Sequence, residues 1–78
     1  MIPVSVVRFA PDGPCILQAS SESWERMAPL LRKGARGDPV KESAALAVRS
    51  GRVGTLAAQR VTLSPDAARW ILDTAEVG

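Results

Sequence analysis

Histidine and tyrosine are absent from this chain, and cysteine occurs only once, as Cys15. Histidine is the commonest general base and tyrosine a frequent acid, so neither a Ser-His-Asp nor a Cys-His catalytic arrangement can be built here. A single cysteine excludes an intrachain disulfide and, without histidine, leaves almost no ligands for zinc. We therefore expect no enzymatic activity, no metal, no cofactor and no small-molecule ligand.

Long apolar runs are also absent. No stretch approaches the ~20 residues that a bilayer span requires. The first residues, Met1 to Ser5, lack the basic start and the apolar stretch of a secretory signal. These features predict a cytoplasmic protein without membrane contact, and a lone thiol fits a reducing compartment.

The chain is short but rich in apolar residues. Its 78 residues, 46% of them hydrophobic, predict a single domain over residues 1–78. A domain of this size buries only roughly 60% of the surface that its unfolded chain exposes, so its core is thin. With no disulfide and no metal, the usual remaining reinforcement is another chain. We expect a protein partner or a second copy of this chain, as in a homodimer.

The strongest local signal is the turn sequence from Ala10 to Pro14, which lies between two apolar segments. Proline, aspartate and glycine each favour turn conformations, and the flanking residues suit strands, so a β-hairpin is predicted. After it, a serine cap at position 20 or 21 begins a helix that ends at Gly34 and kinks or restarts at Pro29. Residues 59–63 are strand-like, and Ser64 caps a final helix from Pro65 to about Glu76.

The segment from Pro39 to Gly54 is ambiguous. Asp38 as a cap, Pro39 at the first position and an alanine-rich run favour a helix. A Ser-Gly turn at Ser50 between matched runs favours a second hairpin, with Val48 facing Val53, and this is the preferred interpretation.

The predicted fold is therefore α+β, an antiparallel sheet of two β-hairpins with two amphipathic helices on one face, in the order ββαββα. The rival order is ββααβα, in which the second hairpin is replaced by a helix and one strand.

Positive charge is concentrated in the middle of the chain. Residues 32 to 60 hold seven basic side chains against two acidic ones, a balance of +5. Such a segment suits an anionic partner such as nucleic acid, although a solvated basic face is the more ordinary explanation. In the hairpin interpretation Arg49 and Arg52 flank the tip and reach phosphates as a basic wing. The full set of candidate contacts for nucleic acid or a protein partner is Arg32, Lys33, Arg36, Arg49 and Arg52.

Two tryptophans, Trp24 and Trp70, each lie on the apolar face of a predicted helix. Both are core residues first and candidate interface anchors second, because tryptophan is enriched at binding hot spots. The sequence as a whole predicts a small, non-enzymatic, intracellular regulatory or binding protein that acts through protein contacts, such as an inhibitor from a mobile element. The alternative is a nucleic-acid-binding module that uses the basic segment 32–60.

Overall fold

The computed structural model of the protein describes all of residues 1–78, which form four strands and three helices. In chain order these elements are β1 (Ser5–Arg8), β2 (Cys15–Ala19), α1 (Ser21–Gly34), α2 (Pro39–Ser50), β3 (Val53–Gly54), β4 (Gln59–Leu63) and α3 (Pro65–Val77). The strands make one antiparallel sheet in the order β1-β2-β4-β3. The predicted α+β class is confirmed, and the order ββαββα matches apart from one added helix, α2.

The first hairpin forms where the turn residues predict it. Its strands pair with Ser5 opposite Gln18 and Val6 opposite Leu17, and the register shifts at a bulge between Val6 and Arg8. Such a bulge bends an edge strand and shortens its regular pairing. Strand β2 then pairs along its whole length with β4, so β2 and β4 are the two central strands.

Helix α1 begins at its predicted serine cap, because the Ser20 Oγ accepts the Ser23 N–H at 3.1 Å. It continues through Pro29 to Gly34 as one helix, so of the two predicted effects of Pro29, a kink or a restart, the restart is wrong. The proline removes the N–H that would bond the carbonyl of Glu25. Both residues are exposed, and water can satisfy the orphaned carbonyl.

Residues 39–50 form a helix, so the hairpin with a turn at Ser50 is wrong. The Asp38 carboxylate accepts the N–H groups of Val40 at 3.0 Å and of Lys41 at 3.3 Å, which begins α2. Val48 does not face Val53 across a ladder; it is completely buried on the inner side of the helix. The helix part of the rival order is therefore correct, but two strands follow it.

The second hairpin lies further along the chain than expected. Val53 pairs with Arg60 and Gly54 with Gln59, and Gly54 adopts a φ of 129° that side chains rarely tolerate. Because β3 has only two residues, this edge of the sheet is short.

All three helices lie on one face of the sheet. Helix α2 packs on β4 and α3 on β2. The inward residues of the central strands are buried with the apolar sides of the helices, and Trp24, Met27, Leu31 and Ile71 are completely enclosed. On α3 the inward side is buried at Ala67, Ala68, Ile71 and Ala75, whereas the charged side chains of the helix are exposed. Only 17 of 78 residues are buried, so the core is as thin as the length implies. None of the helices has the length and apolarity that crossing a membrane requires.

Candidate binding groove between the first two helices

A groove of about 480 Å³ lies between α1 and α2. Its floor is built from small or apolar side chains. These are Ala28, Pro29, Ala35, Ala45 and Leu46. Alanines at these positions let the two helices approach closely, and Leu46, which also lines the groove, is 52% exposed. The groove therefore offers apolar surface that this chain does not cover itself.

Four charged side chains line the same groove. Arg32 and Arg36 come from the end of α1 and the turn after it, and Glu42 and Arg49 come from α2. The local balance is three guanidiniums against one carboxylate. Glu42 and Arg49 are seven residues apart on one helix, about 10 Å at the rise of an α-helix. The groove is therefore about two helical turns long and positive.

The guanidiniums of the groove have no partners within the chain. Arg52 and Arg60 are the arginines whose side chains donate hydrogen bonds, to the Ser21 carbonyl at 3.4 Å and to the Gln18 Oε1 at 3.0 Å. Arg32, Arg36 and Arg49 are exposed and make no such bond. A guanidinium carries five N–H donors in a planar fork that matches a carboxylate or phosphate. The groove thus presents donors that no other group of the chain satisfies.

Three of the five predicted basic contacts are brought together in this groove, and two are not. Lys33 is exposed in the last turn of α1 but does not line the groove. Arg52 is half-buried, and its bond to the Ser21 carbonyl ties the segment after α2 to the start of α1. Arg49 lies in the last turn of α2. The predicted placement of Arg49 and Arg52 at a hairpin tip is therefore wrong.

The two tryptophans differ in accessibility. Trp24 is completely buried, and its Nε1–H donates to the Gln59 carbonyl at 2.9 Å, so it belongs to the core and offers no surface to a partner. Trp70 is half-buried, with the Lys41 ammonium 5.5 Å from its ring centroid. Its ring also lies against Gly34, where an added Cβ would come within 3.3 Å of it.

Sequence reasoning missed Glu42 and the apolar floor of the groove. Their signal was present in the helical spacing of Glu42, Ala45, Leu46 and Arg49, which places them on neighbouring positions of one side of a helix. The signal is readable only once residues 39–50 are taken as a helix. Two helices joined by a four-residue turn then pack as neighbours, and this contact builds the groove.

A second concavity, of about 420 Å³, lies among α2, β4 and α3 and is lined by uncharged side chains such as Val40, Ser43 and Thr62. It has no ionic group to orient a ligand. Histidine, cysteine, aspartate and glutamate side chains do not gather in groups of three or more that could hold a metal ion. The α1–α2 groove is therefore the candidate functional site. Comparison of the chain with protein-family models, with curated proteins and with solved structures finds no match.

Proposed function

We propose that this is a non-enzymatic binding protein that holds an acidic, amphipathic segment of a protein partner in the α1–α2 groove. The observation that carries the proposal is the pairing of an uncovered apolar floor with three guanidiniums that have no intramolecular partner. A partner segment of this kind satisfies both features at once. Its apolar side covers Leu46 and the alanines, and its carboxylates meet the arginines.

The dimensions of the groove suit a short helix. A floor about two turns long accommodates apolar residues spaced three and four apart, which is the pattern of helix-in-groove recognition. Covering a half-exposed leucine contributes about 1 kcal/mol, and each solvent-exposed arginine–carboxylate pair about 0.2 to 1 kcal/mol. These contributions sum to about 2 to 4 kcal/mol, so a weak, reversible complex with a dissociation constant on the order of 1 mM is expected.

A protein segment fits this groove better than nucleic acid does. The Glu42 carboxylate lines the groove and repels phosphates, whereas a lysine of a protein partner can pair with it. Unpaired bases are commonly held on exposed aromatic rings, and no aromatic residue lines the groove. An apolar floor likewise contributes nothing to binding a phosphate backbone, which proteins bind through charge.

A regulatory or inhibitory role is part of the same proposal. A protein without a catalytic set acts on its partner by occupying the segment that it binds. Arginines around a groove also steer an acidic segment toward it, which raises the association rate at low salt.

The test is a titration monitored by NMR, with a synthetic helical 15-residue peptide as the probe. The peptide has leucines on one face and glutamates on both flanks, and a matched peptide replaces the glutamates with lysines. We expect saturable shifts in residues 28–36 and 42–49 with the acidic peptide, and at least about tenfold weaker binding of the lysine peptide.

The variant Arg32→Glu/Arg49→Glu should bind the acidic peptide about tenfold or more less tightly at 50 mM salt. The loss of affinity should be smaller at 500 mM salt, because salt screens exposed charges. Arg26→Glu is the matched control, because Arg26 is exposed on the same helix but does not line the groove. Equal losses in the two variants would contradict the proposal. So would a labelled DNA duplex that binds more tightly than the acidic peptide and depends on Arg32 and Arg49, because the partner would then be nucleic acid.

A further inference from the structure

The α2 wall of the α1–α2 groove carries opposite charges at its two ends. Glu42 lies in the first turn of α2 and Arg49 in its last turn, and both side chains are exposed. Leu46 lies between them, four residues after Glu42 and three before Arg49. This wall therefore presents a negative, an apolar and a positive side chain in a fixed order.

The α1 wall adds positive charge only. Arg36 lies in the turn that joins α1 to α2, and therefore at the same end of the groove as Glu42, and Arg32 lies four residues before it. The acidic residue that precedes these positions on α1, Glu25, accepts a hydrogen bond from the Ser21 hydroxyl at 3.1 Å and does not line the groove. Glu42 is therefore the one carboxylate of the groove, and it distinguishes one end from the other.

We infer that the segment held in this groove is a helix antiparallel to α2, with a glutamate opposite Arg49, an apolar residue opposite Leu46 and a lysine opposite Glu42. This inference rests on the proposed function and adds the order and the direction of the bound residues. In an antiparallel helix the spacing of the α2 residues is repeated in reverse, at positions i, i+3 and i+7, which lie on one face. The recognised pattern is Glu-x-x-Leu-x-x-x-Lys.

The direction follows from the helix dipoles. A helix favours a negative side chain in its first turn and a positive one in its last turn, as α2 itself shows with Glu42 and Arg49. Two helices that both follow this preference bring unlike charges together at both ends only when they lie antiparallel. A parallel segment would need lysine in its first turn and glutamate in its last, and so short a helix is too marginal in water to carry both unfavourable charges.

Arg36 favours the same direction. The last four carbonyls of a helix have no partner within that helix. In the antiparallel arrangement the carboxyl end of the bound segment lies at the Glu42 end of the groove, where the Arg36 guanidinium can donate to these carbonyls. In the parallel arrangement the free N–H groups of the segment would face the same guanidinium, donor against donor.

The experiment uses nitroxide-labelled peptides, because paramagnetic broadening of NMR signals detects complexes of millimolar affinity. The probe is a 15-residue peptide with Glu-x-x-Leu-x-x-x-Lys at its centre, labelled at its amino terminus in one preparation and at its carboxyl terminus in another. We expect the amino-terminal label to broaden the amides of residues 47–50 several-fold more than those of residues 40–43, and the carboxyl-terminal label to do the reverse. A peptide with the glutamate and lysine exchanged should bind about three- to tenfold less tightly.

Exchanging the two charges of α2 tests whether they set the direction. Glu42→Arg/Arg49→Glu should reverse the broadening, so that the amino-terminal label affects residues 40–43 most. Arg26→Glu/Glu76→Arg is the matched control, because it makes the same exchange between two exposed residues that do not line the groove. This control should keep the wild-type pattern.

Three outcomes would overturn the inference. Equal broadening at both ends from either label, or a wild-type pattern in Glu42→Arg/Arg49→Glu, would show that these charges do not orient the segment, while binding in the groove would still support the proposed function. No shift or broadening of any groove residue would remove the proposed function as well. If the exchanged variant fails to fold by circular dichroism, the two labels on the wild-type complex still decide the direction.

Discussion

Replacing Ile71 with alanine tests how α3 is seated on the core. Ile71 is completely buried, Leu72 is half-buried and Asp73 is exposed, so three successive residues sample three environments. Ile71→Ala removes three carbon atoms, about 2.4 kcal/mol of transfer free energy at ~0.8 kcal/mol per methylene, and leaves a cavity that adds to this. Alanine recovers a few tenths of a kcal/mol in helix propensity. The expected loss in the free energy of unfolding is about 2 to 4 kcal/mol.

That loss is large for so small a domain, whose total stability is expected to be roughly 4 to 12 kcal/mol. Leu72→Ala should cost less than Ile71→Ala, about 1 to 2 kcal/mol, because Leu72 is only partly buried against the core. Asp73→Ala should change stability by less than about 0.5 kcal/mol in either direction.

The measurement is urea denaturation followed by tryptophan fluorescence, which reports unfolding because Trp24 moves from a fully buried site into water. With similar denaturant slopes, the midpoints rank the three variants directly. If Asp73→Ala were as destabilising as Ile71→Ala, or Leu72→Ala more so, the assignment of faces on α3 would be refuted.

Two further substitutions, one of them with a matched control, probe the second hairpin and its link to α1. Gly54→Ala should destabilise the protein by about 1 to 3 kcal/mol in thermal melts, because its φ is positive and an added Cβ would overlap the Ala58 carbonyl oxygen. Gly37→Ala, also at a positive φ but with nothing within 4 Å of an added Cβ, should cost less, and the reverse order would contradict this. Trp24→Phe should lower the free energy of unfolding by about 2 to 4 kcal/mol, since it removes buried volume and the donor to the Gln59 carbonyl. A loss under about 0.5 kcal/mol would show that this hydrogen bond contributes nothing to stability.

Local chemistry accounts for the parts of the fold that could be predicted from sequence. Serine side chains cap α1 and α3, where Ser20 and Ser64 each accept an N–H from three residues ahead. The turn at Ala10 to Pro14 makes the first hairpin. Each of these signals acts within five residues, so no knowledge of the rest of the chain is needed.

The segment 39–50 shows where local signals stop deciding. Judged from neighbouring residues alone, the cap at Asp38 favours a helix about as strongly as the turn-like Ser50–Gly51 pair favours a hairpin. What favours the helix is long-range: Ala44 and Val48 are buried in the same core cluster as residues of α1, β4 and α3. A hairpin there would leave that volume unfilled, and close packing of the interior makes such voids costly. Tertiary burial therefore overrides a balanced local choice.

The candidate site depends on that same choice. Charge counting selected five basic residues from the sequence, but it gave no reason why Arg32, Arg36 and Arg49 should act together without Lys33 and Arg52. Only the packing of α2 against α1 separates them, since it turns one set of arginines toward a shared apolar floor. Composition can locate an excess of charge, whereas the contact between elements decides which charges share a surface.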